Sequence, residues 1–458
     1  LSRPLSPPQL AEPAAHELPR TFQRMAPQVP EAGGQGGQGV GAPVADIIAA
    51  ALQESKANPA LMVHGVDAME AAQKFAAATM RRASSHNFNA GPAHVPTSVM
   101  VDLCCELMSF QNTGIGVHEM SHRDAGGPVQ QVIQALCDEL RAVLAVPDTH
   151  DILVMQGGAH QQFAGVPLNL LGRGGDGPKE ADYINGGFWS ERACGEAAKY
   201  CKTNLVEAMR TNAAGELEYL PSSEWKLSPN ASYVHICANE TINGLEFLED
   251  PDLPDSDRRP LVGDFTSTLL SRPVNVARYG CIYASGGKNL GPSGVAVVIV
   301  RKDLIGCELP ICPSMMSYAA HANTQPIANI YNTPPLFTIR GVHLSLRTVY
   351  AMGGLEGCAA RAKRISAALY RKFADSGGFY TQNVAAQYRT RMTIPFSIQG
   401  GNLEMEKKFT KLATEQELDQ VFGHPVAGGL RACVYNSLPE ASVEKLMSFM
   451  DEFRIAHS

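Results

Sequence analysis

The sequence lacks a basic excess and any long apolar run. It carries 38 Lys and Arg against 45 Asp and Glu, a formal net charge of −7, which gives no electrostatic basis for binding nucleic acid or an anionic membrane surface. No apolar run approaches the roughly 18 residues that a membrane-spanning helix needs. We therefore expect neither a nucleic-acid partner nor a membrane span.

The cysteines lack any pairing pattern. Apart from Cys104-Cys105, the 11 cysteines are scattered, with no CxxC pair and no cluster with His at metal-ligand spacing. This usage is typical of reduced thiols in an intracellular protein, so we expect no metal site. The chain begins at Leu1 without an initiator Met, which is compatible with a cleaved mitochondrial or plastid targeting peptide; a cytoplasmic location is the alternative.

Residues 1–85 read as an N-terminal extension. Residues 1–45 are rich in Pro, Gly, Ala and Gln, a low-complexity composition that buries too little apolar surface to fold alone. Residues 46–85 are expected to be helical, because apolar residues recur there at helical spacing. Two amphipathic helices are predicted from Val44, Ile47, Ile48 and Leu52, and from Val66, Met69, Ala72 and Phe75. Their apolar faces need cover, either from the chain's own surface or from a docking partner.

Beyond the extension, short apolar runs alternate with helical patterns. The runs are Ile152–Met155, Tyr233–Cys237, Leu261–Gly263, Cys281–Tyr283 and Val295–Val300. Their Gly-bounded ends and β-branched content predict an α/β fold with a largely parallel sheet between helices. We assign 86–350 to a large domain and 351–458 to a smaller C-terminal α+β domain. Ligands of such sheets bind beyond the carboxyl ends of the strands.

Lys288 lies in the Gly-rich turn Tyr283–Gly294, 24 residues after Asp264, which ends an apolar run. An acid and a later lysine are the two groups that pyridoxal phosphate requires, one for its ring nitrogen and one for its aldehyde. Alone the pair is also consistent with a solvated turn lysine and a helix-capping aspartate.

Several further segments decide between these interpretations. From about Phe88 to Phe453, about four fifths of the chain, the sequence resembles the phosphoserine aminotransferases, which are fold-type I, class V pyridoxal phosphate enzymes. The matching segments are Asn87–Pro92, Ser121–Arg123, Gln156–Asn169, Asp182–Trp189, Tyr233–Thr241, Leu270–Pro273, Tyr331–Pro335 and Gly428–Arg431. The resemblance implies a fold-type I aminotransferase with a large cofactor domain and a smaller C-terminal domain.

The resemblance also implies a cofactor site for pyridoxal 5'-phosphate. Lys288 would be the catalytic Schiff-base lysine and Asp264 the acid at the pyridine nitrogen. Trp189 would stack on the ring, and Thr241 would bind its phenolic oxygen. Further residues implied at the phosphate are Ala159 and His160 at a helix N-terminus, and Asn332 and Thr333 from a neighbouring subunit. A homodimer with shared sites follows from that last pair.

For the substrate, the resemblance implies that Arg431 binds the α-carboxylate, a task suited to a planar fork of donors. His122, Arg123 and His424 resemble residues that recognise the phosphate of phosphoserine or the distal carboxylate of glutamate. The chain departs from the family at three places, one of which is Asp124–Gly126, which follows Arg123 where a Ser-Lys-Glu or similar run is common. Gly287 replaces a glutamine at the cofactor phosphate, and Pro425 replaces a second arginine beside the substrate.

Two functions remain open at this point. The first is an active aminotransferase that exchanges amino groups between phosphoserine and 2-oxoglutarate in serine biosynthesis. The second is a degenerate family member with weak or no activity, which serves as a structural subunit of a larger, possibly organellar, assembly and docks through residues 1–85. The cofactor residues favour the first, whereas Gly287, Pro425 and the long extension favour the second.

Overall fold

The structure is a computed structural model that describes residues 68–458 except 176, 178, 254–257 and 426. Two compact units, Leu1–Ala72 and Gln73–Ser458, divide the chain, and both large sheets lie in the second. The first predicted helix of the extension and residues 1–45 lie outside the described residues. The second predicted helix is observed in part, as α1 (Ala68–Ser84).

Helices and strands alternate through most of the described chain. The further α-helices are α2 (Thr97–Met108), α3 (Pro128–Val143), α4 (Ala159–Leu170), α5 (Phe188–Ala197), α6 (Tyr318–Ala322), α7 (Leu336–Ala351), α8 (Gly354–Ala374), α9 (Leu403–Glu415) and α10 (Glu440–His457). The strands are β1 (His86–Asn87), β2 (His150–Gly157), β3 (Glu180–Asn185), β4 (Lys202–Glu207), β5 (Met209–Thr211), β6 (Leu217–Tyr219), β7 (Val234–Cys237), β8 (Leu261–Asp264), β9 (Tyr279–Ser285), β10 (Gly294–Arg301), β11 (Tyr380–Thr381), β12 (Thr393–Ile398), β13 (Leu418–Asp419), β14 (Phe422–His424) and β15 (Gly428–Cys433). Among the described residues, no helix is long and apolar enough to cross a membrane.

A seven-stranded sheet has the order β2-β10-β9-β8-β7-β3-β4. Strand β10 is antiparallel to both of its neighbours, and the other neighbouring pairs are parallel. All five apolar runs predicted as strands are strands of this sheet, in β2, β7, β8, β9 and β10. The predicted α/β class with a largely parallel sheet is therefore confirmed.

The apolar runs are continuous because both faces of this sheet are buried. In β10, Val295, Val297 and Ile299 belong to one core, whereas Val298 and Val300 belong to another on the opposite face. Apolar side chains of α3 and α7 complete the first core, and those of α4 and α5 complete the second. Alternating residues of one strand thus join two layers of helices.

The C-terminal part of the chain builds a four-stranded sheet of order β11-β12-β15-β14. Its core includes Phe396, Phe409, Leu430 and Leu446, with helices α8, α9 and α10 contributing side chains. Strand β1 pairs with β13, and Phe88 is buried in the same core. The N-terminal end of the described core thus packs with C-terminal residues, while the domain limits 86–350 and 351–458 stay predictions.

Strand direction brings distant residues to one edge of the large sheet. Strands β2, β7, β8 and β9 end at Gly157, Cys237, Asp264 and Ser285, and the antiparallel β10 begins at Gly294, which pairs with Gly157. Because parallel strands end at a common edge, loops that leave them converge there. This edge carries the cavity in which the predicted cofactor residues meet.

Candidate active site

A cavity of about 760 Å³ lies at the carboxyl edge of the large sheet. This size falls within the usual range for small-molecule sites. Residues that follow four different strands line it, including Ala159 after β2, Thr241 after β7 and Lys288 after β9, with Asp264 at the end of β8. Side chains from the smaller sheet close its other side.

Lys288 and Asp264 both line this cavity, and burial shifts the pKa of each side chain. Burial lowers the pKa of the Lys288 amine, and the negative charge of Asp264 opposes that shift. Burial also raises the pKa of Asp264, against hydrogen bonds from Thr266, whose backbone N–H donates to Oδ1 at 2.9 Å. A lysine with a lowered pKa is more readily neutral, as a nucleophile or proton acceptor must be.

Trp189 lies on the wall near Lys288, with the Lys288 Nζ 6.0 Å from the centre of its ring. Its indole Nε1 donates to the Thr241 hydroxyl at 2.8 Å. Its backbone N–H donates to Glu240 Oε2 at 3.0 Å. The His160 ring meets the indole edge-on at 5.7 Å between centroids. Hydrogen bonds therefore hold Trp189 at both its backbone N–H and its indole nitrogen.

The N-terminus of α4 also opens on the cavity. Gly158 is the N-cap, and Ala159 and His160 are the first helical residues. The free backbone N–H groups of a helix N-terminus favour an anion such as phosphate. A Cβ on Gly158 would lie 2.9 Å from the Ser285 hydroxyl, so glycine keeps this approach open.

Gly287 occupies a backbone conformation that a side chain would strain. Its φ is +91°, and an added Cβ would lie 3.3 Å from the Ser293 Cβ. Its N–H donates to the Gly291 carbonyl at 2.6 Å and its own carbonyl accepts from Ala93 N–H at 2.7 Å. The turn that carries Lys288 is thus tightly closed, and its backbone conformation at residue 287 favours glycine over a residue with a side chain.

Arg431 and His424 face the cavity from neighbouring strands of the smaller sheet, β15 and β14. Arg431 is only 8% exposed, and its Nε is buried without a hydrogen-bond partner among the described residues. An unpaired buried donor is costly, so the arrangement fits a ligand carboxylate. Burial, with the charge of Arg431, lowers the pKa of His424.

The comparisons with known proteins agree with this geometry. The family model described as aminotransferase class-V matches residues 85–446. The chain belongs to the class-V aminotransferase family. It is therefore a pyridoxal phosphate-dependent transaminase, and its largely parallel sheet between helices is that of a fold-type I aminotransferase.

The relatives of this class-V aminotransferase include several named proteins. A phosphoserine aminotransferase of Aromatoleum aromaticum is 41% identical over 372 residues, 80% of this chain and 98% of that protein. Phosphoserine aminotransferase 1, chloroplastic, of Arabidopsis thaliana is 39% identical over 373 residues, which are 81% of this chain and 83% of that protein. The solved phosphoserine aminotransferase of Bacillus circulans subsp. alkalophilus superimposes with a TM-score of 0.75 at 36% identity. The match covers 82% of this chain and 99% of that one.

A PLP-bound phosphoserine aminotransferase from Trichomonas vaginalis is also similar, with a TM-score of 0.73 at 33% identity over 80% of this chain and 99% of that one. These relatives do not favour the alternative of a structural subunit. The residues of the cavity fit the cofactor on two structural grounds. Gly158 leaves an open approach at the helix N-terminus, and an acid and a lysine of lowered pKa share the same wall.

The structure divides the predicted site residues into two groups. The cavity of one chain is lined by Ala159, His160, Trp189, Thr241, Asp264, Gly287, Lys288, His424 and Arg431. His122, Arg123, Asn332 and Thr333 are not among its lining residues. Arg123 is exposed in the segment between α2 and α3. Thr333 lies before α7, where its carbonyl accepts from the Gln156 side chain at 2.9 Å.

Several residues of the site were not predicted from the sequence. Among them, Phe422 lines the cavity from β14 and Gln420 from the segment between β13 and β14, and such short strands give no pattern that would single them out. Glu240 does not line the cavity but holds the N-terminus of α5 beneath Trp189. A buried acid needs a hydrogen-bond partner, but the sequence does not show that the partner of Glu240 is the backbone of Trp189.

Proposed function

We propose that this chain transfers an amino group between phosphoserine and 2-oxoglutarate, as a step of serine biosynthesis. The observation that carries the proposal is the meeting of Lys288, Asp264 and Arg431 in one cavity. The substrate comes from the names of relatives that match about four fifths of the chain.

The roles of the three residues follow from their chemistry. Lys288 would bind the cofactor as a Schiff base, and once released by the substrate amine it would take the proton from the substrate α-carbon. Asp264 would keep the pyridine nitrogen protonated. Bound pyridoxal phosphate supplies a ring that stabilises negative charge at the α-carbon. Arg431 would bind the substrate carboxylate and hold the α-carbon towards Lys288.

Recognition of the substrate phosphate is the weaker part of the proposed site. His424 lines the cavity, but the next residue, Pro425, cannot donate the charge-assisted hydrogen bonds of the family's arginine. The loss of one such bond is worth about 1.5–3 kcal/mol. We therefore infer that phosphoserine is bound less tightly than in a typical family member.

A homodimer with shared sites is part of this proposal. His122, Arg123, Asn332 and Thr333 all resemble site residues, yet none lines the cavity of its own chain. In a symmetric dimer, each can serve the neighbouring cavity instead. This arrangement would return two cationic or polar groups, His122 and Arg123, to a site that has lost the arginine at 425.

We further propose an organellar location, in a mitochondrion or plastid, supported by the chloroplastic name of one relative. Residues 1–84 precede the family match, which begins at residue 85, so a role in docking a partner protein is compatible with the catalytic core. Recovery of the tagged full chain wholly in the cytosolic fraction of its own cells would contradict the organellar location.

Steady-state kinetics test the proposed substrate. Glutamate formation from 2-oxoglutarate is measured with phosphoserine, serine, alanine and aspartate as amino donors, with Lys288→Ala as the inactive control. The expected result is a kcat/KM that is highest for phosphoserine. A higher value for any unphosphorylated donor would contradict the proposed substrate while leaving the transaminase chemistry in place.

A further inference from the structure

Glu240 is a fully buried carboxyl whose two oxygens accept hydrogen bonds from the first turn of one helix. Oε2 accepts from the backbone N–H of Trp189 at 3.0 Å, and Oε1 accepts from that of Ser190 at 2.8 Å. The N-cap of α5 is Gly187, which has no side chain. Glu240 thus caps the N-terminus of α5, although it lies in a distant part of the sequence.

The segment that carries Glu240 is itself held rigidly. The Glu240 N–H donates to the Leu245 carbonyl at 2.7 Å, and the Gly244 N–H donates to the Glu240 carbonyl at 3.0 Å. Thr241, the next residue, accepts from the Trp189 indole at 2.8 Å. Two consecutive residues of one closed turn therefore hold the backbone and the ring of Trp189.

The space around the carboxylate matches this function. A Cβ on Gly186 would lie 2.3 Å from the Tyr219 hydroxyl and 3.3 Å from the Glu240 Cγ, and one on Gly187 would lie 2.5 Å from the Asn243 Nδ2 and 3.4 Å from the Glu240 Cδ. Asn243 fastens the other side of this junction by donating to the Gly186 carbonyl at 2.7 Å. The two glycines thus make room for Tyr219 and Asn243, which pack at the helix N-terminus beside the carboxylate.

We propose that Glu240 is a positioning residue of the cofactor site, whose ionised carboxylate fixes the first turn of α5 and thereby the Trp189 ring. The negative charge is favoured by the helix N-terminus. A protonated carboxyl keeps its C=O as an acceptor, but its hydroxyl oxygen is a weaker acceptor than a carboxylate oxygen, so protonation weakens one of the two bonds to α5. The proposal concerns the pyridoxal phosphate site of this family and is independent of the amino donor.

The ionisable groups near Glu240 make this contact sensitive to pH close to neutrality. Burial raises the pKa of Glu240 to about 7, against the hydrogen bonds from Ser190 and Trp189, and the charge of Asp264 raises it further. Tyr219 and Cys237 are the other ionisable neighbours. Burial raises the pKa of both, so they stay neutral in this range.

The experiment uses the full chain freed of cofactor, with Trp225→Phe so that Trp189 is the one remaining tryptophan. Trp189 emission and its quenching by acrylamide are followed from pH 5.5 to pH 8.5. In the Trp225→Phe protein we expect a one-proton transition near pH 7. Adding Glu240→Gln should abolish this transition, and the quenching of that double variant at pH 8 should be close to that of the Trp225→Phe protein at pH 5.5. Reconstitution should show pyridoxal phosphate bound about fivefold more weakly, the effect of one lost helix cap.

Two controls separate this effect from other causes. His160 also contacts the indole, so the transition must persist in His160→Gln. Glu139→Gln changes a buried glutamate of α3 that pairs with His343 instead and should leave Trp189 emission unchanged. The proposal would be overturned by a transition that is absent from the Trp225→Phe protein itself, by one that is kept in Glu240→Gln, or by one that is lost in His160→Gln.

Discussion

Replacing Glu240 by Gln should change how the stability of the cofactor-free protein depends on pH. The pKa of Glu240 is raised from its usual 4.5 to about 7 by burial, so the folded chain keeps a proton that the unfolded chain has lost between these pH values. Stability from this group is therefore complete below about pH 4.5 and is lost as pH rises through 7. A shift of this size corresponds to about 3 kcal/mol, at 1.36 kcal/mol per pKa unit.

Glutamine resembles the protonated carboxyl but does not titrate. Glu240→Gln should therefore match the parent protein near pH 5 and exceed it at pH 8 by up to about 3 kcal/mol, roughly 4 °C in unfolding midpoint for a unit of this size. Calorimetry of both proteins at pH 5, 6, 7 and 8 measures the difference, in which other titrating groups cancel. Parallel curves at all four values would refute the reasoning. The anionic residue would thus lower global stability while holding Trp189 in place.

Three further predictions concern the substrate and the assembly. Arg431→Lys keeps the charge but loses the planar fork of donors, so kcat/KM for amino donors should fall about 10- to 100-fold. If the variant also loses the visible absorbance of bound pyridoxal phosphate, Arg431 has a structural role instead. Pro425→Arg should raise kcat/KM for phosphoserine about 10- to 100-fold, and less for serine, since only the phosphate gains a charged partner; equal gains would argue against phosphate contact. Mixing Lys288→Ala chains with Asn332→Ala chains should restore activity through hybrid sites, and dimers that recover none would exclude shared sites.

The sequence is informative wherever a local pattern has one physical cause. Continuous apolar runs such as Val295–Val300 predict strands buried on both faces, and the structure has them. The direction of β10 cannot be predicted in this way, because a buried parallel strand and a buried antiparallel strand have the same apolar content. Its antiparallel pairing with β2 joins distant parts of the chain, whereas its pairing with β9 joins two consecutive strands through the short connection 286–293.

The site shows the same division. Lys288 and Asp264 are recognisable because their chemistry and their place after apolar runs coincide. Phe422 and Glu240 are not, since one lies on a three-residue strand and the other acts through the backbone of Trp189. That His122 and Arg123 do not line the cavity of their own chain is likewise a property of the folded chain, whereas the resemblance already implied a neighbouring subunit's site for Asn332 and Thr333.

The central claim is that Lys288 binds pyridoxal phosphate covalently, and borohydride trapping tests it most directly. Borohydride reduces the C=N bond of a Schiff base to a stable amine, so digestion and peptide mass spectrometry can locate the modified lysine. The account predicts a reduced pyridoxyl phosphate group on the peptide that contains Lys288 and no modification in Lys288→Ala. Modification at another lysine, or none in protein saturated with the cofactor, would contradict it.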